Sequence, residues 1–205
     1  MAKAALTDSP TKDRLLEAAE KLMLAQGYAA TTVDEICEAA KLTKGSFFHY
    51  FESKEHLGRE LLERFCRHAG EQMRSAVGGV DVDPLRRVYA FIDFGIKMAA
   101  QCGTEQGCLL GTFAQELSET NPAMRDQCAK AFARWAQWLK QDLDAAKAKH
   151  APKAAIDTQS LADHFIAIME GAKILAKAKR DPSIEEQSLG HLRRYVQSLF
   201  ERTPR

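Results

Sequence analysis

The chain has 205 residues, 45% hydrophobic and 28% charged, with a formal net charge of +1, the balance of a soluble globular protein with one small core and one larger one. No apolar run approaches a membrane span, and the N-terminal stretch MAKAALTDSPTKD lacks a signal-peptide core, so a cytoplasmic chain without a membrane partner is expected. Five cysteines without a C-x-x-C pair and six scattered histidines argue against a disulfide framework or a metal site.

Taken in chain order, nearly everything reads as helix. Ser9-Pro10 is a helix start, because proline in the first turn gives up an N–H that has no partner there. Leu15, Leu16, Ala19, Leu22 and Met23 make the first amphipathic face, and Gly27 stops it. Thr32 and Glu35 form a T-x-x-E capping box, followed by Val33, Ile36, Cys37 and Ala40 on one face. Lys41 and Leu42 break that pattern. Thr43 then caps a short helix to about Tyr50, and Ser53 caps a long one from Lys54 to about Val77. Further helices are predicted at about 84–101, 106–119, 122–148, 158–180 and 184–201, with Ser183 and Glu186 as a second capping box. The fold class is therefore all-α: an N-terminal three-helix unit over residues 1–60 and a larger helical bundle over residues 61–205. The cut falls inside the long helix, which would act as a lever between them.

Two short helices joined by a turn of three to four residues make a helix-turn-helix, which places its second helix in a DNA major groove. That second helix, Thr43 to Tyr50, is polar at its start and aromatic at its end. Phe48 and Phe51, three apart, are expected to close the small core. Charge gives no help, since residues 1–60 carry eight cations against ten anions. Lys41, Lys44 and Lys54 nevertheless flank the reader helix. Modest non-specific DNA affinity follows.

The segment Thr11 to Leu62 resembles the DNA-binding domain of the TetR family of transcriptional regulators. The resemblance rests on Gly27-Tyr28, on Thr31-Thr32, and on the run from Lys44 to Leu57, KGSFFHYFESKEHL. It implies that Thr43, Lys44, Gly45, Ser46 and Phe47 approach bases, while Thr32, His49, Tyr50 and Lys54 approach phosphates. Phe48 stands where the family usually has tyrosine, so the hydroxyl contact of that tyrosine is missing. The resemblance also implies a homodimer on a palindromic operator in double-stranded DNA. Two copies are needed because one short helix covers too few bases. Apolar stripes on the last two helices supply the expected interface: Leu161, Ile168, Ala172 and Leu175, then Leu192, Tyr195, Val196 and Leu199.

The same family encloses an effector cavity in its middle helices. Here Phe91, Phe94, Met98, Phe113, Trp135, Trp138, Phe165 and Met169 are the candidates for lining it. Cys108 joins them. The stretch Gly107 to Glu116, with Pro122 and Arg125, is similar to the branch of the family whose repressor answers to N-ethylmaleimide, where a cysteine at this place is the sensor. Many relatives carry the same Gly-Cys pair as simple packing. The expected effector is thus a small hydrophobic or electrophilic molecule of unknown identity. No P-loop, dinucleotide-binding glycines, H-E-x-x-H or G-x-S-x-G motif is present, so no catalytic residues and no cofactor are expected. A helical enzyme or carrier is the alternative from another class.

Overall fold

A computed structural model describes residues 9–79, 81–102 and 107–200. Among these residues it contains nine helices: α1 Pro10–Gln26, α2 Val33–Ala39, α3 Lys44–Tyr50, α4 Lys54–Val77, α5 Pro84–Cys102, α6 Leu109–Leu117, α7 Pro122–His150, α8 Thr158–Lys179 and α9 Ser183–Phe200. No described helix is long and apolar enough to cross a membrane.

The chain divides into two compact units. The first joins the described residues up to Cys66 with Leu109–Gln127; the second joins Arg67–Cys108 with the described residues from Cys128 onward. The single cut expected at residue 60 is therefore replaced by three crossings, two of them inside α4 and α7. Sequence distance hid this, because α6 is inserted between helices of the second unit but packs on α1.

In the first unit several helix ends are fixed by local devices. The Thr32 hydroxyl accepts from Glu35 N, and the Glu35 carboxylate accepts from Thr32 N, which completes the expected box. Thr43 accepts from Ser46 N, and Ser53 accepts from His56 N. Gly27 ends α1 at a φ of 92°, a backbone region that L side chains rarely enter. The turn between α2 and α3 needs the same region at Lys41, whose φ is 52°. The core holds Leu15, Ala19, Met23, Ile36, Phe47, Phe51, Leu57, Leu61, Leu109, Leu110 and Phe113, all without exposed surface.

In the second unit α9 packs against α5 and α8. Its core runs through Val88, Phe91, Ile92, Leu139, Leu143, Ala162, Phe165, Leu189, Leu192 and Val196. A pair between half-buried Lys173 Nζ and buried Glu185 Oε2 at 2.9 Å ties α8 to α9. Ser183 is the first residue of α9 rather than its cap, and its N–H donates to the Asp181 carboxylate. α5 starts on a cap followed by proline: Asp83 accepts from Leu85 N and Arg86 N, and it also meets Lys149 and His150 at 2.9 Å.

That crowding of donors, Lys149 first, holds the Asp83 carboxyl well below its ordinary value of 3.8. A carboxylate depressed on folding adds stability that is complete above the unfolded value and disappears as pH falls toward the folded one. Asp83→Asn should therefore lower the melting temperature at pH 7. The gap to the unaltered chain should close as the pH is taken below about 4. A gap of equal size at pH 7 and pH 3, by circular dichroism melting, would remove this role from Asp83.

Candidate nucleic-acid interface and effector region

The reader helix α3 is seven residues long and begins at a capped N-terminus. Thr43, Lys44, Gly45, Phe48 and His49 are exposed, while Ser46 and Tyr50 are half-buried. Four of the residues expected near bases or phosphates thus share the outer face. Thr32 is exposed too, at the start of α2, with its hydroxyl engaged by Glu35. Lys44 Nζ rests 2.7 Å from Asp34 Oδ1, a pair open to solvent on both sides. Such a pair is weak and screened by salt, so Lys44 can exchange Asp34 for another partner. The Tyr50 hydroxyl lies 2.9 Å from Ser9 Oγ, which fixes its ring at the edge of the helix.

Two expected DNA residues are placed elsewhere. Phe47 is fully buried, with its ring centroid 5.6 Å from that of Phe51, so it reaches no base. Phe48 is the one turned outward, 57% exposed. Phe51 lies past the end of α3 with extended dihedrals of −129° and 125°, so helical spacing did not apply to it. Lys54 was expected at a phosphate. Its ammonium instead donates to the carbonyls of Thr31, Tyr28 and Ala29 at 2.8, 3.0 and 3.4 Å, and lies 4.5 Å from the centre of the Tyr28 ring. Partial burial pushes its pKa down. With three hydrogens on three carbonyls, Lys54 organises the α1–α2 loop.

The same loop is gripped from α6, a contact without a signal in the sequence. Glu116 accepts from Tyr28 N at 3.0 Å and Ala29 N at 2.8 Å. Gly27 is favoured by its φ of 92°, and a Cβ there would come 2.5 Å from Glu116 Oε1 and displace the carboxylate. Tyr28 stacks edge-on against Phe113 at 5.2 Å, and Gly58 leaves room for the Tyr28 ring. Thr31, fully buried, donates to the Gly27 carbonyl at 2.7 Å. Nothing in the local pattern of Gly27-Tyr28 points 88 residues ahead to Glu116.

The residues expected to line one effector cavity divide into separate environments. Phe113 belongs to the first unit, against Tyr28. Phe91 stacks with Trp138 at 5.9 Å and Phe165 at 6.0 Å inside the second core, and Met169 packs on that core. Trp135 pairs with Phe132 at 6.1 Å. Phe94 and Met98 do line a groove of about 880 Å³ between α4 and α5. Its other walls include Glu71, Gln72, Asp93 and Lys97, so it is open and half polar rather than an apolar cavity. Cys108 is buried, just before α6, and its thiol hydrogen-bonds the Glu170 carboxylate. Burial pushes the Glu170 pKa up. Among the described residues no group of three ligand-type side chains could hold a metal.

The stripes of α8 and α9 also separate. Leu161, Ala172, Leu192 and Val196 are buried within the protomer, each 5% exposed or less. Leu175 and Tyr195 are about half exposed, Ile168 and Leu199 are half-buried, and Ile174, which was not foreseen, is 49% exposed. Space is open outside Gly171.

Comparison with known proteins agrees with this architecture. The model of bacterial regulatory proteins of the tetR family matches residues 15–61, and that of the tetracyclin repressor-like C-terminal domain matches residues 84–192. The chain is 29% identical to the HTH-type transcriptional repressor DhaR of Mycobacterium sp. (strain GP1), over 88% of this chain and 89% of DhaR. It is 26% identical to the HTH-type transcriptional repressor NemR of Escherichia coli K12, over 93% of this chain and 96% of NemR. The crystal structure of a regulatory protein TetR from Rhodobacter sphaeroides superposes with a TM-score of 0.82 at 28% identity, covering 91% and 99% of the two chains. A capped reader helix on a three-helix core, followed by a tetracyclin repressor-like helical bundle, makes this chain a member of the TetR family, whose regulators bind DNA operators and act as dimers.

Proposed function

We propose that the chain is a cytoplasmic homodimeric repressor that is released from a palindromic operator by a small-molecule effector, and that it works by binding rather than catalysis. The observation that carries this is the outer face of α3, where Lys44, Gly45 and His49 stand exposed beside Thr43 on a rigid core. Residues 1–60 act as the DNA-binding part and residues 61–205 as the ligand and dimerisation part, with α6 and the start of α7 lent to the first. The DNA residues are Thr32, Thr43, Lys44, Gly45, Ser46, His49 and Tyr50. The dimer uses the exposed apolar face of α8 and α9, through Ile168, Ile174, Leu175, Tyr195 and Leu199. Two reader helices then meet successive major grooves, about 34–36 Å apart.

An effector acts only if it binds the released conformation better than the DNA-bound one. The groove beside Phe94 and Met98 is the entry point in this proposal, and its Glu71 and Lys97 suit a ligand with polar ends. The Cys108 thiol, buried and engaged by Glu170, is a packing residue in this reading.

The test is a gel shift with the DNA upstream of the chain's own gene. The unaltered chain should retard that DNA in preference to random duplex. Lys44→Ala should weaken operator binding on the order of tenfold to a hundredfold and relax specificity at one position per half-site. Equal losses on operator and random DNA would remove Lys44 from base reading, and no preference by the unaltered chain would refute the reading as a whole.

A further inference from the structure

We infer that Phe48 is a specificity residue that reads the methyl group of a thymine in the operator. This rests on the DNA-binding reading above and deepens it. At about 100° per residue, Lys44, Phe48, Gly45 and His49 follow one another round α3 within about 140°. Phe48 therefore sits inside the outward face rather than at its border, with buried Phe47 turned the other way. Among the described residues of the first unit it is the one large apolar side chain that is mostly exposed.

Its position is held. The Phe48 ring packs edge-on against buried Phe47, with centroids 5.2 Å apart and planes at 79°. Gly45, one turn earlier, has no side chain, and an added Cβ there would meet only Thr43 Oγ1, at 3.6 Å. The helix surface thus carries a ring with a shallow clearing beside it. Phenylalanine has neither donor nor acceptor, so it reads no base edge by hydrogen bonding. In a major groove the thymine C5-methyl is the apolar group offered to such a ring. A cytosine in its place would present an amino group, and the ring would desolvate it without replacing its hydrogen bond to water.

The experiment starts by selecting sites from a random duplex library with the unaltered chain and with Phe48→Ala. Because Phe48 is exposed, Phe48→Ala should melt as the unaltered chain does. The expected result is one thymine per half-site that is enriched by the unaltered chain and lost with Phe48→Ala. Changing that thymine to uracil removes only the methyl. It should weaken the unaltered chain roughly three- to tenfold per half-site, the scale of one buried methyl, and leave Phe48→Ala indifferent. The inference is overturned if every selected thymine tolerates uracil, if the half-site contains no thymine, or if Phe48→Ala is as sensitive to uracil as the unaltered chain. A pool that stays random with the unaltered chain refutes the DNA-binding reading itself, and the role of Phe48 with it.

Discussion

Phe47→Ala should unfold the DNA-binding unit, whereas Phe48→Ala should leave it folded. Phe47 has no exposed surface and sits between the rings of Phe48 and Phe51 at the centre of the three-helix core. Truncating a buried phenylalanine to alanine costs about 3–5 kcal/mol, from lost burial and from the cavity left behind. Domains are typically stable by only about 5–15 kcal/mol, so this unit would lose much of its margin. Operator binding would vanish with the fold, on all sequences alike. Circular dichroism melting and a gel shift at one temperature check this together. A Phe47→Ala chain with an unchanged melting curve and a changed base preference would return Phe47 to the DNA surface.

The second large effect is expected at Leu192. This residue is 3% exposed and belongs to the core shared by α5, α8 and α9. Leu192→Glu removes apolar burial and forces a carboxyl into a site without a partner, at a cost of roughly 4 kcal/mol or more. It should yield an unfolded or aggregated chain rather than a folded monomer. Leu175→Glu or Tyr195→Glu, at positions about half exposed in the protomer, should keep the helical signal and shift sedimentation from dimer to monomer. A folded Leu192→Glu monomer would show that Leu192 faces a second copy and not its own core.

These two outcomes bear on how α8 and α9 were legible. Each helix has apolar residues on more than one side, because one side closes the protomer and another is left outside. Spacing at 3.6 residues groups residues on a face, but it does not say which face meets its own chain. Leu192 and Val196 therefore read like Tyr195 and Leu199 in the sequence, and only packing separated them. Phe47 and Phe48 pose the same problem on two turns of helix. Phe51 had left the helix, so the three-residue spacing from Phe48 to Phe51 carried no weight, and the pairing of Phe47 with Phe51 filled the core.

What the sequence determined by itself was local or strongly patterned. The helix order, the Thr32–Glu35 box, the stop at Gly27, the start at Asp83-Pro84, and the reader helix with its family signature all arise from contacts a few residues apart. Capping and backbone sterics act within one turn, so short motifs encode them fully. What the tertiary structure decided involves partners far apart in the chain. It gave Lys54 to the carbonyls of the α1–α2 loop instead of a phosphate, brought Glu116 to the N–H groups of Tyr28 and Ala29, and set α6 into the first unit. A cation or carboxylate takes whichever donors and acceptors the folded chain brings within about 3 Å, and no periodicity in the sequence records that distance.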